Sequence, residues 1–381
     1  MGKLRTWRKL GLLVARLHAG IPYGRQNISL RDRLQVFQAM GARNLTQGPK
    51  VEEFEEKFAE FSGARHAIAF SSGTAALHGS AFVTNVKEDG PTFTSGLTFI
   101  ATANSIHHAG GHVRLADIDP ETWNINPASI PAGAKSLFTV DFAGLPTVLA
   151  EIQWPAGQRP RAIVEDCAHS VGASTPNGMV GNARASSISC FSFHPVKGMT
   201  TGEGGMATTN DDDLAAALRK FRSHGIAQNM ASYSWEYDAE YPGFNYRMTD
   251  FQAALGLSQL RKLPSFINER NEIASRYRHM LRDVPVTLPP AAAPGYVHAY
   301  HLFPILFENA QLRERAFYEM RNQGITVQVH YRPVHMHSAH KARSADLPKK
   351  NHTEDVASRI LSIPIFPGLK KSQQLRVVRA I

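Results

Sequence analysis

Val164-Glu165-Asp166-Cys167-Ala168-His169 and, further along, Phe191-Ser192-Phe193-His194-Pro195-Val196-Lys197 are the two stretches whose reading decides the fold. Each is a short apolar run that ends in chemistry: the first in an acid, the second in a lysine set in a glycine-rich turn, Thr200-Thr201-Gly202-Glu203-Gly204-Gly205. Runs of this length, bounded by turn residues, read as buried strands. Working outward, further strands are expected at residues 67–70, 112–118, 137–142, 162–165 and 187–193. Helices are expected at 51–61, from 75 to about 82, at 248–263 and at 266–281, with Pro264 as the break between the last two. Strands alternating with helices predict an α/β fold, a mostly parallel sheet sandwiched by helices. The Pro- and Ala-rich residues 285–294 read as a connector. A strand (301–307), a helix (311–322) and a strand (326–330) follow and predict a smaller C-terminal α/β domain. The expected division is a basic extension over 1–21, a large domain over 22–264 and a small one over 265–381.

Four features recur in a chain order that carries chemistry. Ser72-Gly73-Thr74 opens a helix after a strand, where free N–H groups and the helix dipole favour a phosphate. Such residues cap most helices, so alone this says little. Phe99 leads into another helix; a single Phe there is ordinarily core. Asp166 ends a buried strand, where an isolated carboxylate is costly without a partner, and open parallel sheets bind ligands at that end. Lys197 lies among apolar and glycine neighbours that suit a solvated surface lysine poorly. Together they describe a pyridoxal 5'-phosphate site. The phosphate takes the helix N-terminus and Ser192, an aromatic ring covers the pyridine, Asp166 keeps its nitrogen protonated, and Lys197 forms the Schiff base.

With these residues in view, the chain from about Pro22 onward resembles the DegT/DnrJ/EryC1/StrS family of sugar aminotransferases. The matching stretches include Leu45-Thr46-Gln47-Gly48, Ser72-Gly73-Thr74, Ala101-Thr102-Ala103-Asn104, Glu165-Asp166-Cys167-Ala168-His169, Asn245-Tyr246-Arg247-Met248 and Val329-His330-Tyr331-Arg332-Pro333. The resemblance implies the fold type I architecture of PLP-dependent transferases. It places the Schiff-base lysine on Lys197, the pyridine-nitrogen carboxylate on Asp166 and the phosphate-binding hydroxyls on Thr74 and Ser192. Phe99 takes the ring-stacking position and His169 the position beside the ring. It implies that Asn245 reaches the cofactor phosphate of a neighbouring subunit, hence a homodimer with shared sites. Tyr23, Asn44, Leu45, Thr46, Val329, His330 and Tyr331 fall where relatives line the substrate pocket.

The implied reaction is a two-half transamination, with glutamate as donor and a nucleotide-linked 4-keto-6-deoxy sugar as acceptor, aminated at C4. Val140-Asp141-Phe142-Ala143-Gly144 and Arg222-Ser223-His224-Gly225-Ile226 are most similar to the branch that uses a UDP-linked sugar on the way to pseudaminic acid. A dTDP- or GDP-linked sugar is the alternative. Three features depart from the family pattern: the extension before Pro22, Gly96 in place of a common proline, and Trp154-Pro155-Ala156-Gly157 where relatives carry a longer helix.

Composition excludes several classes. Over 381 residues, 43% are hydrophobic and 19% charged, which excludes a disordered chain. The longest apolar run is far short of a membrane span. Only Cys167 and Cys190 are present, in no CxxC spacing; they read as small core hydrophobes and fit a reducing cytoplasm. The net charge of +10 favours an anionic partner. A nucleic-acid-binding or PLP-binding regulatory protein is the rival class. Its basic residues would be clustered, however, and here they are scattered outside any recognised binding module. Lys3, Arg5, Arg8, Lys9 and Arg16 precede the first acid, Asp32, so the extension reads as a solvated tail, with weak contact to an anionic membrane as the alternative. Met1-Gly2-Lys3-Leu4-Arg5-Thr6 fits the short myristoylation pattern, which matches often by chance. His330, His335, His337 and His340 crowd one segment without a carboxylate or cysteine among them, so a pocket-shaping loop is expected rather than a metal site.

Overall fold

The computed structural model describes residues 20–88, 90–154, 159–227 and 236–381. Most of the basic extension and Pro155, Ala156 and Gly157 lie outside the described residues. Seven strands form the central sheet: β1 (His66–Phe70), β2 (Pro91–Ser95), β3 (His112–Ala116), β4 (Ser136–Val140), β5 (Ala162–Asp166), β6 (Ile188–Ser192) and β7 (Gly205–Thr209), in the order β1-β7-β6-β5-β4-β2-β3. β6, β5, β4, β2 and β3 pair in parallel, and β7 alone runs antiparallel to both its neighbours. The mostly parallel sheet is as expected. β2 and β7 were not expected: Thr92, Thr94, Thr208 and Thr209 give them too few apolar residues for a hydrophobic run, yet all four are buried.

Period-two alternation sorts each strand's side chains between two helical layers. Ile68 and Phe70 of β1 pack toward α3 (Gly73–Val83), α4 (Ile100–His108) and α5 (Asp212–Phe221), the third to fifth helices after α1 (Leu30–Met40) and α2 (Pro49–Ser62). Ala67 and Ala69 face the opposite layer, with Phe54 and Phe58 of α2 and Ala253 and Leu257 of α6 (Asp250–Leu260). The same rule puts Asp166 on the α4 side of β5 and Glu165 on the other. On β6 it puts Ser192 beside α3, and Phe191 in the opposite layer.

The two helices expected on either side of Pro264 are both present, but the break between them falls at residues 261–262. α6 stops at Leu260, and α7 (Leu263–Met280) begins with Pro264 in its first turn. Proline is tolerated there because that N–H has no helical partner anyway. A second sheet holds β8 (Val286–Thr287), inside the expected connector, with β9 (Phe303–Phe307) and β10 (Ile360–Ile363), all antiparallel. Around it pack α8 (Ala310–Asn322) and α10 (Lys371–Val378), the latter following α9 (His352–Arg359). The strand expected at 326–330 is absent; Gln328 makes a single bridge to Ser362, and the chain turns off so that His330 and Tyr331 reach the large domain. Gly96 has a packing reason: a Cβ there would lie 2.8 Å from Thr353 Cγ2. Among the described residues no helix is long and apolar enough to cross a membrane.

Candidate active site

The carboxyl ends of β1, β2, β5 and β6 open on one cavity of about 350 Å³. Ser72, Gly73, Thr74, Phe99, Asp166, His169, Ser192, Lys197, Tyr23, His330 and Tyr331 all line it. The structure therefore brings together most of the residues singled out from sequence.

At one pole, α3 begins against β6. Ser72 Oγ accepts from Ala75 N (3.1 Å), and Ser72 O accepts from Ala76 N (3.1 Å). Among the described residues the N–H groups of Gly73 and Thr74 keep no such partner, the usual condition of a first helical turn. Glycine is required there, since a Cβ on Gly73 would sit 2.7 Å from Ser192 Cβ. A Cβ on Gly205 would fall on the Ser72 carbonyl. The result is a tight cradle of N–H and O–H donors shaped for a phosphate.

At the other pole, Asp166 is buried. Its Oδ2 accepts from Thr102 Oγ1 at 2.7 Å and its Oδ1 from Ala168 N at 3.1 Å. Thr102 Oγ1 also pairs with Thr98 Oγ1 at 2.8 Å. Burial pushes the Asp166 carboxyl up, against these hydrogen bonds and the charge of Lys197. A cationic ring nitrogen set beside it would satisfy it. Lys197 is half-buried, and desolvation brings its amine down to about 8 while Asp166 opposes the shift. Its turn is braced: Lys197 N donates to His194 O (2.9 Å), and Thr200 Oγ1 donates to Phe193 O (2.9 Å).

Phe99 is 54% exposed, unlike a core phenylalanine, and sits 5.7 Å from the Tyr331 ring across the cavity mouth. Tyr331 Oη lies 2.9 Å from His169 Nε2, and the two rings stack at 5.9 Å. His330 Nδ1 pairs with Ser362 Oγ at 2.9 Å. His335 pairs instead with Glu354 and His340 with Asn104, so the clustered histidines point to different partners. Cys167 and Cys190 are both buried.

Val329, Asn44, Leu45, Thr46 and Asn245 are not among the cavity's lining residues. Val329 packs behind, against the small-domain core. Asn44, Leu45, Thr46 and Asn245 are exposed; Thr46 bridges Thr249, and Asn245 bridges Ser223. Sequence reasoning assigned no role to Thr102, Glu203 or His301. Thr102 carried a usable signal, being three residues after Phe99 on the face of α4 that turns toward the sheet. Lining the cavity, Glu203 and His301 lie in loops, where no periodicity marks them.

A cradle of N–H and O–H donors, a buried carboxylate and a desolvated lysine amine around one cavity fit pyridoxal 5'-phosphate. Residues 27–381 match the DegT/DnrJ/EryC1/StrS aminotransferase family. The spore coat polysaccharide biosynthesis protein SpsC of Bacillus subtilis is 32% identical over 378 residues, 95% of this chain and 96% of that protein. Among solved structures, Helicobacter pylori PseC, an aminotransferase involved in the biosynthesis of pseudoaminic acid, superposes with a TM-score of 0.86. Its identity is 28%, over 95% of this chain and 98% of that one. A DegT DnrJ EryC1 StrS aminotransferase from Brucella abortus superposes with a TM-score of 0.81 at 30% identity, over 92% of this chain and 94% of that one. Matched over nearly its whole length and carrying this site at the ends of a fold type I sheet, the chain belongs to the DegT/DnrJ/EryC1/StrS aminotransferase family and is a sugar aminotransferase dependent on pyridoxal 5'-phosphate.

Proposed function

We propose that this enzyme moves an amino group from glutamate to C4 of a UDP-linked 4-keto-6-deoxy sugar, a step toward pseudaminic acid, in the cytoplasm. The observation that carries the reaction type is Lys197 facing Asp166 across a cavity with a phosphate cradle at one pole. The likeness to PseC and to a polysaccharide biosynthesis protein supports the choice of sugar.

When bound, the cofactor supplies an electron sink that lets a C–H bond beside nitrogen break. Ser72, Gly73, Thr74 and Ser192 would hold its phosphate, and Phe99 would cover one ring face. Asp166, aimed by Thr102 and the Ala168 N–H, would hold a proton on the ring nitrogen. His169, with Tyr331 bonded to it, would sit beside the ring. Lys197 Nζ would be the covalent anchor and, with its amine free, the base that accepts the donor's Cα proton in the first half and the acid that supplies a proton to C4 of the sugar in the second, the cofactor carrying the amino group and a proton between the halves. An amine depressed to about 8 has a larger free-base fraction near neutral pH than an ordinary lysine, which suits both tasks. Tyr23, His330 and Tyr331 line the sugar side. Asn44, Leu45, Thr46 and Asn245 lie away from their own cavity, which supports a homodimer in which they serve the partner's site. We assign residues 22–264 to the cofactor domain and 265–381 to the small domain.

A panel of UDP-, dTDP- and GDP-linked 4-keto-6-deoxy sugars with glutamate tests this. Turnover is expected with the UDP sugar, read as 2-oxoglutarate release. Preference for dTDP or GDP would overturn the sugar assignment and leave the aminotransferase reading intact.

A further inference from the structure

Ser362 is 1% exposed, and both of its backbone groups are held. Its N–H donates to Gln328 O (2.8 Å), its carbonyl accepts from Gln328 N (3.3 Å), and β10 pairs it with Pro304 of β9. A side chain fixed in this way is a firm reference for whatever it touches. Its Oγ lies 2.9 Å from Nδ1 of His330. The His330 ring packs edge-on against Tyr331, with centroids 4.9 Å apart and planes at 84°, and lies 5.8 Å from the Tyr23 ring. These three aromatic residues line the cavity, and Ser362 does not.

The direction of the proton follows from the neighbours. Burial, and the charge of Lys197, bring His330 down to about 3, so its ring is neutral near pH 7. A neutral imidazole carries one N–H, and the partner of one nitrogen decides which. Among the described residues the Ser362 hydroxyl has no acceptor other than His330 Nδ1. A proton on Nδ1 would have to be donated to Ser362 and would strand the buried hydroxyl's own proton, the costlier arrangement.

We propose that Ser362 is a positioning residue whose hydroxyl donates to His330 Nδ1 and so holds His330 as the Nε2–H tautomer, a fixed neutral donor on the cavity wall for an acceptor oxygen of the sugar, hydroxyl or carbonyl. This rests on the sugar-aminotransferase reading given above. Nε2 leaves the ring away from Ser362, makes no hydrogen bond to a described residue, and is not among the nitrogens buried without one. It is therefore the ring's open polar atom. Lys197 is near enough for its charge to act on His330, so the oxygen received lies beside the carbon that Lys197 serves. A neutral N–H suits an uncharged oxygen, whereas a carboxylate or diphosphate is met more strongly by a cation.

The test separates the two halves of the reaction. Glutamate is added to the pyridoxal form of the enzyme. The 4-keto sugar that wild type turns over fastest is added to the pyridoxamine form. The apparent dissociation constant of each is read from the cofactor's absorbance. Ser362→Ala should weaken the sugar roughly three- to tenfold, the range expected for one lost hydrogen bond, and leave glutamate within about twofold. Ser362→Thr keeps the hydroxyl and should stay near wild type. His330→Phe should weaken the sugar at least as much, and Ser362→Ala added to it should change nothing further, because Ser362 acts through His330. Independently of turnover, nitrogen NMR of enzyme labelled at histidine should show Nδ1 of His330 bare and Nε2 protonated, the resonances being assigned by their loss in His330→Phe. Ser362→Ala should mix the two forms. An unweakened sugar in Ser362→Ala, an equal or larger loss for glutamate, additive effects in the double variant, or a proton on Nδ1 overturns the proposal. If Ser362→Thr does not fold, the double variant and the spectrum decide. A wild-type enzyme that aminates no 4-keto sugar would overturn the proposed function instead, and the spectrum then decides the tautomer alone.

Discussion

Thr102, on the first turn of α4, donates its hydroxyl to Asp166 Oδ2 at 2.7 Å, so the carboxylate at the end of β5 is aimed from the neighbouring helix rather than from its own strand. The opposite oxygen takes the Ala168 N–H. With both oxygens engaged, Asp166 has little freedom to turn away from a ring nitrogen. Thr102→Val keeps the shape and removes the donor. A hydrogen bond to a charged group contributes about 1.5–3 kcal/mol, so turnover should fall roughly 10- to 100-fold, with cofactor retention weakened in step. Steady-state kcat and cofactor titration measure both. Unchanged values in both would remove Thr102 from the site.

Lys197 sets a pH signature. Its amine, lowered to about 8 by desolvation, sheds its proton well below the roughly 10.4 of an exposed lysine. Reconstitution of cofactor-free protein with pyridoxal phosphate needs the free amine. Its rate should rise with pH and level off just above about 8, instead of climbing toward about 10 as an exposed lysine would. Stability follows the same shift. Between about pH 8 and 10 the unfolded chain holds the proton that the folded site has released, so the cofactor-free protein gains stability as pH rises there. Lys197→Met should abolish reconstitution and flatten that part of the stability curve. A reconstitution rate still climbing steeply past pH 9 would place the amine in bulk water.

Much of this site is legible in the sequence because strand ends and helix starts are local. Asp166, Ser192 and Gly73 each follow a short apolar run, and their neighbours constrain what they can be. Their faces follow too, since alternation along β5 and β6 places Asp166 and Ser192 toward α3 and α4. What escapes is set by tertiary contact. β7 is buried through threonines that β1 and β6 cover, and nothing in Gly205-Met206-Ala207-Thr208-Thr209 announces that. His301 is distant in sequence from His169 and meets it only because the small domain folds back over the sheet. The strand expected at 326–330 fails for a related reason: its apolar alternation is real, but His330 and Tyr331 are drawn off to the cavity.

Glu165 lies on the face of β5 opposite to Asp166, buried, with Oε2 accepting from Ser189 Oγ at 2.8 Å. Burial raises its carboxyl, and the equally buried Asp141 raises it further. Asp141 is itself held by Ser170 Oγ (2.5 Å) and the Thr147 N–H (2.7 Å). An acid whose folded pKa lies above its unfolded value costs stability as pH rises from about 4 toward the folded value. Glu165→Gln keeps an acceptor for Ser189 and removes the titration. The variant should match wild type in acid and melt a few degrees higher near pH 8. A lower melting temperature at both pH values would mean that the carboxylate is charged and needed as such.

Asn245 gives the most discriminating test of the shared-site dimer. It is exposed and away from its own cavity, although its neighbour Tyr246 is tied to that cavity's edge: the Ser71 N–H donates to Tyr246 O at 2.7 Å, and Tyr246 Oη lies 3.2 Å from His78 Nδ1. The segment is therefore held firmly while Asn245 faces outward. If Asn245 reaches the partner's phosphate cradle, Asn245→Ala should weaken cofactor retention in the partner's site and leave its own subunit's Lys197 competent. Lys197→Ala should be inactive by itself. When the two variants exchange subunits, each mixed dimer holds one site with both defects and one with neither. At equal mixing half of the dimers are mixed, so about a quarter of wild-type activity should return from two poorly active parents. Native mass spectrometry verifies the exchange. Mixed dimers that form and stay inactive would place Asn245 in its own subunit's chemistry, and a wild-type enzyme that sediments as an active monomer would remove the shared site altogether.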